Sequence, residues 1–144
     1  MSFKLGKKSR DRLTGVHPDL IKVVERAIEL TEVDFTVLEG VRSKSRQEKL
    51  VELGASQTMN SRHLTGHAVD LGAVVAGQVR WDWGLYLRIA EAVRSASLEL
   101  GIPIRWGGTW GLLSDLRGPI TAEVLHKRFP DGPHMELPVR DYPA

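Results

Sequence analysis

The chain has 144 residues, 42% of them hydrophobic and 26% charged, which is typical of one globular domain that buries a core of its own. It contains no cysteine, so disulfides, thiolate nucleophiles and cysteine-bound zinc are excluded, and any metal must be held by histidine and carboxylate ligands. The formal net charge of +2 is too small to indicate a nucleic-acid partner, and no apolar run approaches the length of a membrane span.

Hydrophobic periodicity along the chain predicts a mixed set of helices and strands in one domain over residues 1–144, with a basic lead-in over residues 1–15. A polar loop is expected over residues 55–66. The predicted helices cover residues 17–31, 43–54, 84–101 and 119–129, and the predicted strands cover residues 34–42, 67–75, 102–108 and 134–139. Residues 77–83 suggest a return strand or a turn. This order of elements predicts an α+β fold.

The stretch SRHLTGHAVDLG, residues 61–72, places His63, His67 and Asp70 within eight positions. A histidine and an aspartate at this spacing do not by themselves define a metal site. On a helix His63 and His67 would share one face, but Gly66 and the β-branched neighbours disfavour a helix. On a strand His67 points away from Asp70, so we expect it to flank the site rather than to bind a metal.

A second polar stretch, FPDGPHMEL over residues 129–137, contains Asp131, His134 and Glu136. Its Gly-Pro pair predicts a tight turn that could bring the Asp131 and His134 side chains to one side. Taken alone, however, this stretch is better explained as a turn in which the aspartate caps backbone N–H groups.

Together the two stretches resemble a known family. SRHLTGHAVD fits the Ser-x-His-x-x-Gly-x-Ala-x-Asp motif of the zinc D-alanyl-D-alanine carboxypeptidase and L-alanyl-D-glutamate endopeptidase family, and DGPHME resembles its second motif. The segments EGVRSKSRQ and IRWGGTW are similar to two further family segments, although Thr109 replaces the usual aspartate of the latter. The opening FKLGKKSRDRLTGVHPDL is similar to the start of single-domain phage endolysins, so the resemblance covers about residues 3–137.

The resemblance implies one zinc ion per chain and a hedgehog/DD-peptidase-like fold, with a small antiparallel sheet, packed helices and the zinc in a groove. It implies that His63, Asp70 and His134 bind the metal. It gives Asp131 the role of general base and Arg42 that of holding the substrate or the developing oxyanion. Ser61 and Gln47 fall on family positions near the substrate. From the residues themselves we expect Trp110 to line the groove and Glu136 to orient a metal ligand.

The function expected from the resemblance is hydrolysis of the L-alanyl-D-glutamate bond of peptidoglycan stem peptides by a monomeric phage endolysin. The basic N-terminus lacks the apolar segment of a signal peptide. We therefore expect the enzyme to accumulate in the host cytoplasm, without membrane insertion, and to reach the cell wall after holin-type permeabilisation. Two alternatives are a D-alanyl-D-alanine carboxypeptidase and a non-catalytic zinc-bearing binding domain of the same fold.

Overall fold

The computed structural model describes residues 2–56 and 58–143; Gln57, in the expected loop over residues 55–66, lies outside the described residues, as do Met1 and Ala144 at the ends of the expected domain. The α+β prediction is confirmed, since the described residues form a small antiparallel sheet with helices packed on it. None of the helices in these ranges is both long and apolar enough to cross a membrane.

The sheet has six strands within the described ranges, and they pair in the order β1-β2-β6-β4-β5, with β3 paired to the far half of β2. Long β2 therefore forms the centre of the sheet, and short β6 lies beside its first half. The strands are β1 Phe35–Glu39, β2 Ala68–Val75, β3 Gln78–Arg80, β4 Arg105–Trp106, β5 Gly111–Leu112 and β6 His134–Glu136.

Two amphipathic helices supply most of the helical core. The helices are α1 Lys7–Arg12, α2 Pro18–Leu30, α3 Lys44–Glu52 and α4 Trp83–Leu100. Helix α2 begins where the His17 ring accepts a hydrogen bond from the Asp19 amide, and α4 ends at Gly101, whose φ of +68° suits a helix terminus. The two helices pack against each other, and a two-bond ion pair between Arg26 and Glu99 joins them at the surface.

The alternation of side chains along β2 separates the core from the candidate site. Val69, Leu71 and Ala73 are fully buried and belong to the main hydrophobic cluster beneath the helices. Asp70 points to the opposite face, because successive side chains of a strand alternate. A polar side chain can therefore occupy the middle of a strand without entering the core.

One expectation is wrong, and two others gain detail. The predicted helix over residues 119–129 is reduced to a 3-10 turn at Ala122–Val124, and the neighbouring Phe129 is exposed rather than packed. The lead-in contains α1, whose buried Ser9 accepts a hydrogen bond from the Val37 amide of β1. The polar loop before β2 ends in a 3-10 turn over Arg62–Thr65.

Candidate functional site

Two of the three expected metal ligands are placed by strand register. Asp70 on β2 and His134 on β6 are directly paired across the antiparallel ladder, so their side chains lie on the same face. His63 reaches them from the 3-10 turn that precedes β2. Among the described residues these three form one group whose donor atoms all lie within 4.8 Å of one another.

Two of the three donor–donor separations match those of a tetrahedral metal site. His63 Nε2 lies 3.2 Å from Asp70 Oδ1, and His134 Nδ1 lies 3.3 Å from the same oxygen. Metal–ligand bonds of about 2.0–2.1 Å in tetrahedral geometry place neighbouring ligand atoms about 3.3 Å apart. The two separations that involve Asp70 are therefore compatible with a metal ion bound between the three side chains.

The other nitrogen of each imidazole has its own partner. His63 Nδ1 lies 2.8 Å from the backbone carbonyl oxygen of Gly40, and His134 Nε2 lies 2.7 Å from Glu136 Oε1. Such partners fix the orientation and the tautomer of a metal-binding histidine. Glu136 therefore contacts the ring nitrogen of His134 that does not face Asp70, which is the position expected of a residue that orients a metal ligand.

The turn that carries His63 depends on Gly66. This residue ends the 3-10 turn with a φ of +78°, and a Cβ added to it would lie 2.5 Å from the carbonyl oxygen of Gly15. Neither the conformation nor the space accepts a larger residue. At the other end of the turn, Ser61 Oγ accepts a hydrogen bond from the His63 amide, so Ser61 shapes the turn as well as lining the groove.

The Trp-Gly-Gly segment holds the second half of the site. The Gly107 amide donates to the His134 carbonyl at 2.8 Å, and the Asp131 amide donates to the Gly107 carbonyl at 2.9 Å. Trp106, which is fully buried, donates its indole N–H to the Gly132 carbonyl at 2.8 Å. These bonds clamp the turn between Asp131 and His134 against β4.

The carboxylates and imidazoles of the site stabilise each other's charged forms. Burial alone would lower the pKa of His134, but its hydrogen bonds to Asp70 and Glu136 raise it to about 9. Burial would raise the pKa of Asp70, yet the hydrogen bonds from His134 and His63 hold it well below its usual range. The Asp70 carboxylate is therefore ionised, whereas His134 must release its proton to bind a metal.

Asp131 differs from Asp70 in exposure and in pKa. Its side chain opens to solvent in the groove that also contains His63, Asp70 and His134. Its pKa is raised, first because the surrounding protein reduces its solvation and then because the negative charge of Asp70 is nearby. A carboxylate with a raised pKa beside a metal site is suited to accept and return a proton.

Arg42 is held at the β1 side of the site. Its Nε donates to Glu39, its Nη1 donates to Gln47 Oε1 at 2.7 Å, and its Nη2 lies 3.7 Å from Asp70 Oδ2. Gln47 is fully buried and is fixed in turn by hydrogen bonds to Ser56 and to the Thr58 carbonyl. Because Gln47 has no exposed surface, it acts on the groove through the residues that it holds, Arg42 and Ser56 among them, and not by direct contact with a substrate.

The groove over these residues has a volume of about 840 Å³. Trp110 forms part of its wall, with its ring 5.3 Å from that of His134 and its indole N–H donated to the Phe129 carbonyl. Trp110 has a φ of +56°, a strained value for an aromatic residue. Thr109 Oγ1 accepts from the Gly111 amide, so in this chain the threonine caps the local turn.

His67 lies outside the metal group. Its Nδ1 is 2.7 Å from Thr65 Oγ1, and its ring is 5.5 Å from that of His17. His126, which lies within the predicted helix over residues 119–129, is exposed and caps a turn by accepting from the amides of Arg128 and Phe129.

Sequence patterns missed two residues that the structure places at the site. Arg105 on β4 pairs with Glu136 at 3.3 Å, and Glu39 pairs with Arg42. Both lie within or beside segments that carry the resemblance, IRWGGTW and EGVRSKSRQ. The charge of each residue is its sequence signal, and this charge does not identify the partner.

An α+β fold that presents two imidazoles and a carboxylate at an open groove, beside a further carboxylate, has the arrangement of a metal-dependent hydrolase. Comparison with known proteins gives the particular family. Residues 1–138 match the family model for phage L-alanyl-D-glutamate peptidases, and the chain belongs to this family. The resemblance predicted from the motifs is thereby confirmed.

Individual relatives support the same family assignment. The chain is 35% identical to the L-alanyl-D-glutamate peptidase of Escherichia phage T5, covering 95% of this chain and 99% of the relative. It is 30% identical to the L-alanyl-D-glutamate peptidase of Listeria phage A118 over 76% of this chain but only 32% of that longer protein. Among solved structures it resembles the Serratia marcescens L-Ala D-Glu endopeptidase ChiX, with 45% identity and a TM-score of 0.83 over 99% of this chain and 96% of the other.

Proposed function

We propose that this protein is an endopeptidase that hydrolyses the L-alanyl-D-glutamate bond of peptidoglycan stem peptides, with one zinc ion per chain. The observation that carries the proposal is the convergence of His63 Nε2, Asp70 Oδ1 and His134 Nδ1 in an open groove that also contains Asp131. Membership of the phage L-alanyl-D-glutamate peptidase family supplies the substrate class.

The donor set supports zinc as the metal. Two imidazole nitrogens and one carboxylate oxygen are the ligands that catalytic zinc uses, and the distances of 3.2 and 3.3 Å between them fit tetrahedral bonds. Zinc bound by His63, Asp70 and His134 would activate water near neutral pH and polarise the carbonyl of the scissile amide.

The protein's own residues would move the proton and stabilise charge. Asp131 would accept a proton from the attacking water and deliver it to the leaving nitrogen of D-glutamate, which its raised pKa favours. Arg42, held by Glu39 and Gln47, would stabilise the negative charge that develops on the carbonyl oxygen. The hydrolysis requires no covalent intermediate with the protein.

The same proposal includes the type of fold, the domain organisation, the oligomeric state and the route to the cell wall. They are a hedgehog/DD-peptidase-like fold with the zinc in its groove, a single catalytic domain over residues 1–144 and a monomer in solution. As an endolysin the enzyme would reach the wall from the host cytoplasm by holin-type permeabilisation. The small sheet with packed helices supports the fold, and the phage relatives support the endolysin role.

The experiment is the digestion of purified peptidoglycan by the zinc-loaded protein, followed by identification of the new chain ends. New N-terminal D-glutamate is the expected product. Release of D-alanine would instead show the carboxypeptidase, and zinc binding with no new ends would show a non-catalytic binding domain. Removing zinc with a chelator should abolish the activity, and adding zinc back should restore it.

A further inference from the structure

Two arginines stand on opposite sides of the candidate metal centre. The strand order β1-β2-β6-β4 places Asp70 and His134 in the middle, with Arg42 following β1 on one side and Arg105 on β4 on the other. Both arginines line the groove. A peptide that crosses the strands over the metal centre would therefore meet a guanidinium group on each side.

The two arginines differ in how many of their donors remain available. Arg42 is 9% exposed, and its three nitrogens face Glu39, Gln47 and Asp70. Its hydrogen-bond donors are therefore largely committed to the protein, and it acts on the groove chiefly through its positive charge.

Arg105 is held in place by two hydrogen bonds, but one of its guanidinium nitrogens has no protein partner among the described residues. Its Nε donates to the Trp110 carbonyl at 3.0 Å, its Nη1 contacts Glu136 at 3.3 Å, and its guanidinium lies 5.0 Å from the centroid of the Trp110 ring. The side chain is nevertheless 39% exposed, and its Nη2 has no hydrogen-bond partner within residues 2–56 and 58–143. Arg105 Nη2 therefore has no competing partner among the described residues, on a side chain that lines the groove.

Arg128 also lines the groove and adds a further positive charge to it. Its guanidinium is exposed and has no ion-pair partner in the part of the chain that the structure describes. The loop that carries it is tied down, because the Arg128 amide donates to His126 Nδ1 and the His126 amide donates to the Gly108 carbonyl. The Trp110 indole also holds the adjacent Phe129 carbonyl at 2.6 Å.

We infer that Arg105 and Arg128 form a subsite for a carboxylate of the substrate on the leaving-group side of the scissile bond, an inference that rests on the proposed function. In the stem peptide D-glutamate is linked onward through its side-chain carboxyl, so its α-carboxylate is free and sits on the carbon that bears the leaving nitrogen. Guanidinium groups bind carboxylates through paired, charge-assisted hydrogen bonds. Arg105 Nη2 and the guanidinium group of Arg128 offer such donors.

The test compares two synthetic stem peptides that differ only at this position, one with the free α-carboxylate of D-glutamate and one with the α-carboxamide. The wild-type protein should cleave the free acid with a kcat/KM about tenfold to a hundredfold higher, which is the range for hydrogen bonds to a charged group. Arg105→Gln and Arg128→Gln should each reduce this preference, and the double variant should abolish it. Arg80→Gln is the matched control, because Arg80 is also a partly exposed arginine paired with a carboxylate, Asp82, but lies outside the groove.

The preference ratio separates recognition from structural damage. A variant that only disturbs Glu136 or the fold would lower both rates by the same factor and keep the ratio, which would overturn the subsite. A ratio unchanged in both variants would assign the carboxylate to another group, such as Arg42, and would also overturn it. Equal cleavage of both peptides by the wild-type protein refutes the subsite while leaving the proposed function intact, whereas cleavage of neither refutes the proposed function itself.

Discussion

Gly107 is a position where a single added methyl group should disturb the candidate site without replacing a charged residue. Its amide and carbonyl bind His134 and Asp131, and its Cα faces their side chains. A Cβ added at Gly107 would lie 2.9 Å from His134 Cβ and 3.0 Å from Asp131 Cβ, and closer still to the Asp131 carbonyl oxygen. We therefore expect Gly107→Ala to displace the turn from Asp131 to His134.

The size of the effect follows from these distances. Carbon atoms pack at about 3.5–4.0 Å, so the turn must move by roughly 0.5–1 Å to accept the methyl group. Overpacking of this kind costs about 1–3 kcal/mol of folding free energy. A misplacement of about 1 Å between catalytic groups lowers the rate by about a hundredfold. Gly107→Ala should therefore lose about 1–3 kcal/mol of stability and up to about a hundredfold in kcat/KM.

The assay is urea denaturation together with peptide cleavage, with Gly84→Ala as the matched control. Gly84 lies in the first turn of α4, and a Cβ there would meet no atom within 4 Å. The alanine should leave kcat/KM unchanged and alter stability by less than about 1 kcal/mol. If Gly107→Ala keeps wild-type stability and cleavage, the close approach of this glycine to Asp131 and His134 has no functional importance and the reasoning is wrong.

Three further predictions concern individual side chains. Asp131→Asn should lower kcat/KM by about a hundredfold or more while zinc remains bound, and full activity with bound zinc would exclude a general-base role. Glu136→Gln should weaken zinc binding by about 10–100-fold, measured by competition with a chelator, because the carboxylate that orients His134 is lost; unchanged affinity would refute that role. Tyr142 donates its hydroxyl to Asp19 at 2.7 Å, and this hydrogen bond raises its pKa to about 12. Because the folded pKa is raised, the stabilisation is fully present below the unfolded value of about 10 and is lost as pH rises towards 12. Tyr142→Phe should thus cost about 1 kcal/mol at pH 8, after allowance for solvent screening, and a smaller amount at pH 11; a difference independent of pH would contradict this.

Local patterns predict the elements that bury a continuous apolar stripe. The stripe of α2 includes Val23, Val24, Ala27 and Ile28, which are buried as the periodicity requires, although Leu30 at the helix end is exposed. The segment over residues 119–129 has apolar residues at similar spacing but does not form a long helix. Its backbone is instead bound to distant parts of the chain, for example by Arg88 to the Ile120 carbonyl. Contacts of that kind leave no local signal.

In the site, too, residues that are close in sequence could be predicted, whereas contacts that depend on strand pairing could not. The motif around His63 and Asp70 is local, so the sequence indicates these residues directly, and Gly66 marks the turn between them. The pairing of Asp70 with His134 depends on strand register across 64 positions, and only the family resemblance connects the two before the fold is known. The contact of Arg105 with Glu136 likewise requires the β4–β6 pairing, so no sequence pattern identifies it.

The most direct test of the account is the zinc content of the purified protein and of two alanine variants from the same motif. After chelation and reloading at a zinc concentration that saturates the wild type, we expect one zinc per chain in the wild type and in His67→Ala. His63→Ala should retain almost none, because it removes one of only three donors that converge in the described site. One zinc per chain in His63→Ala, or its loss in His67→Ala, would contradict the assignment of the metal centre.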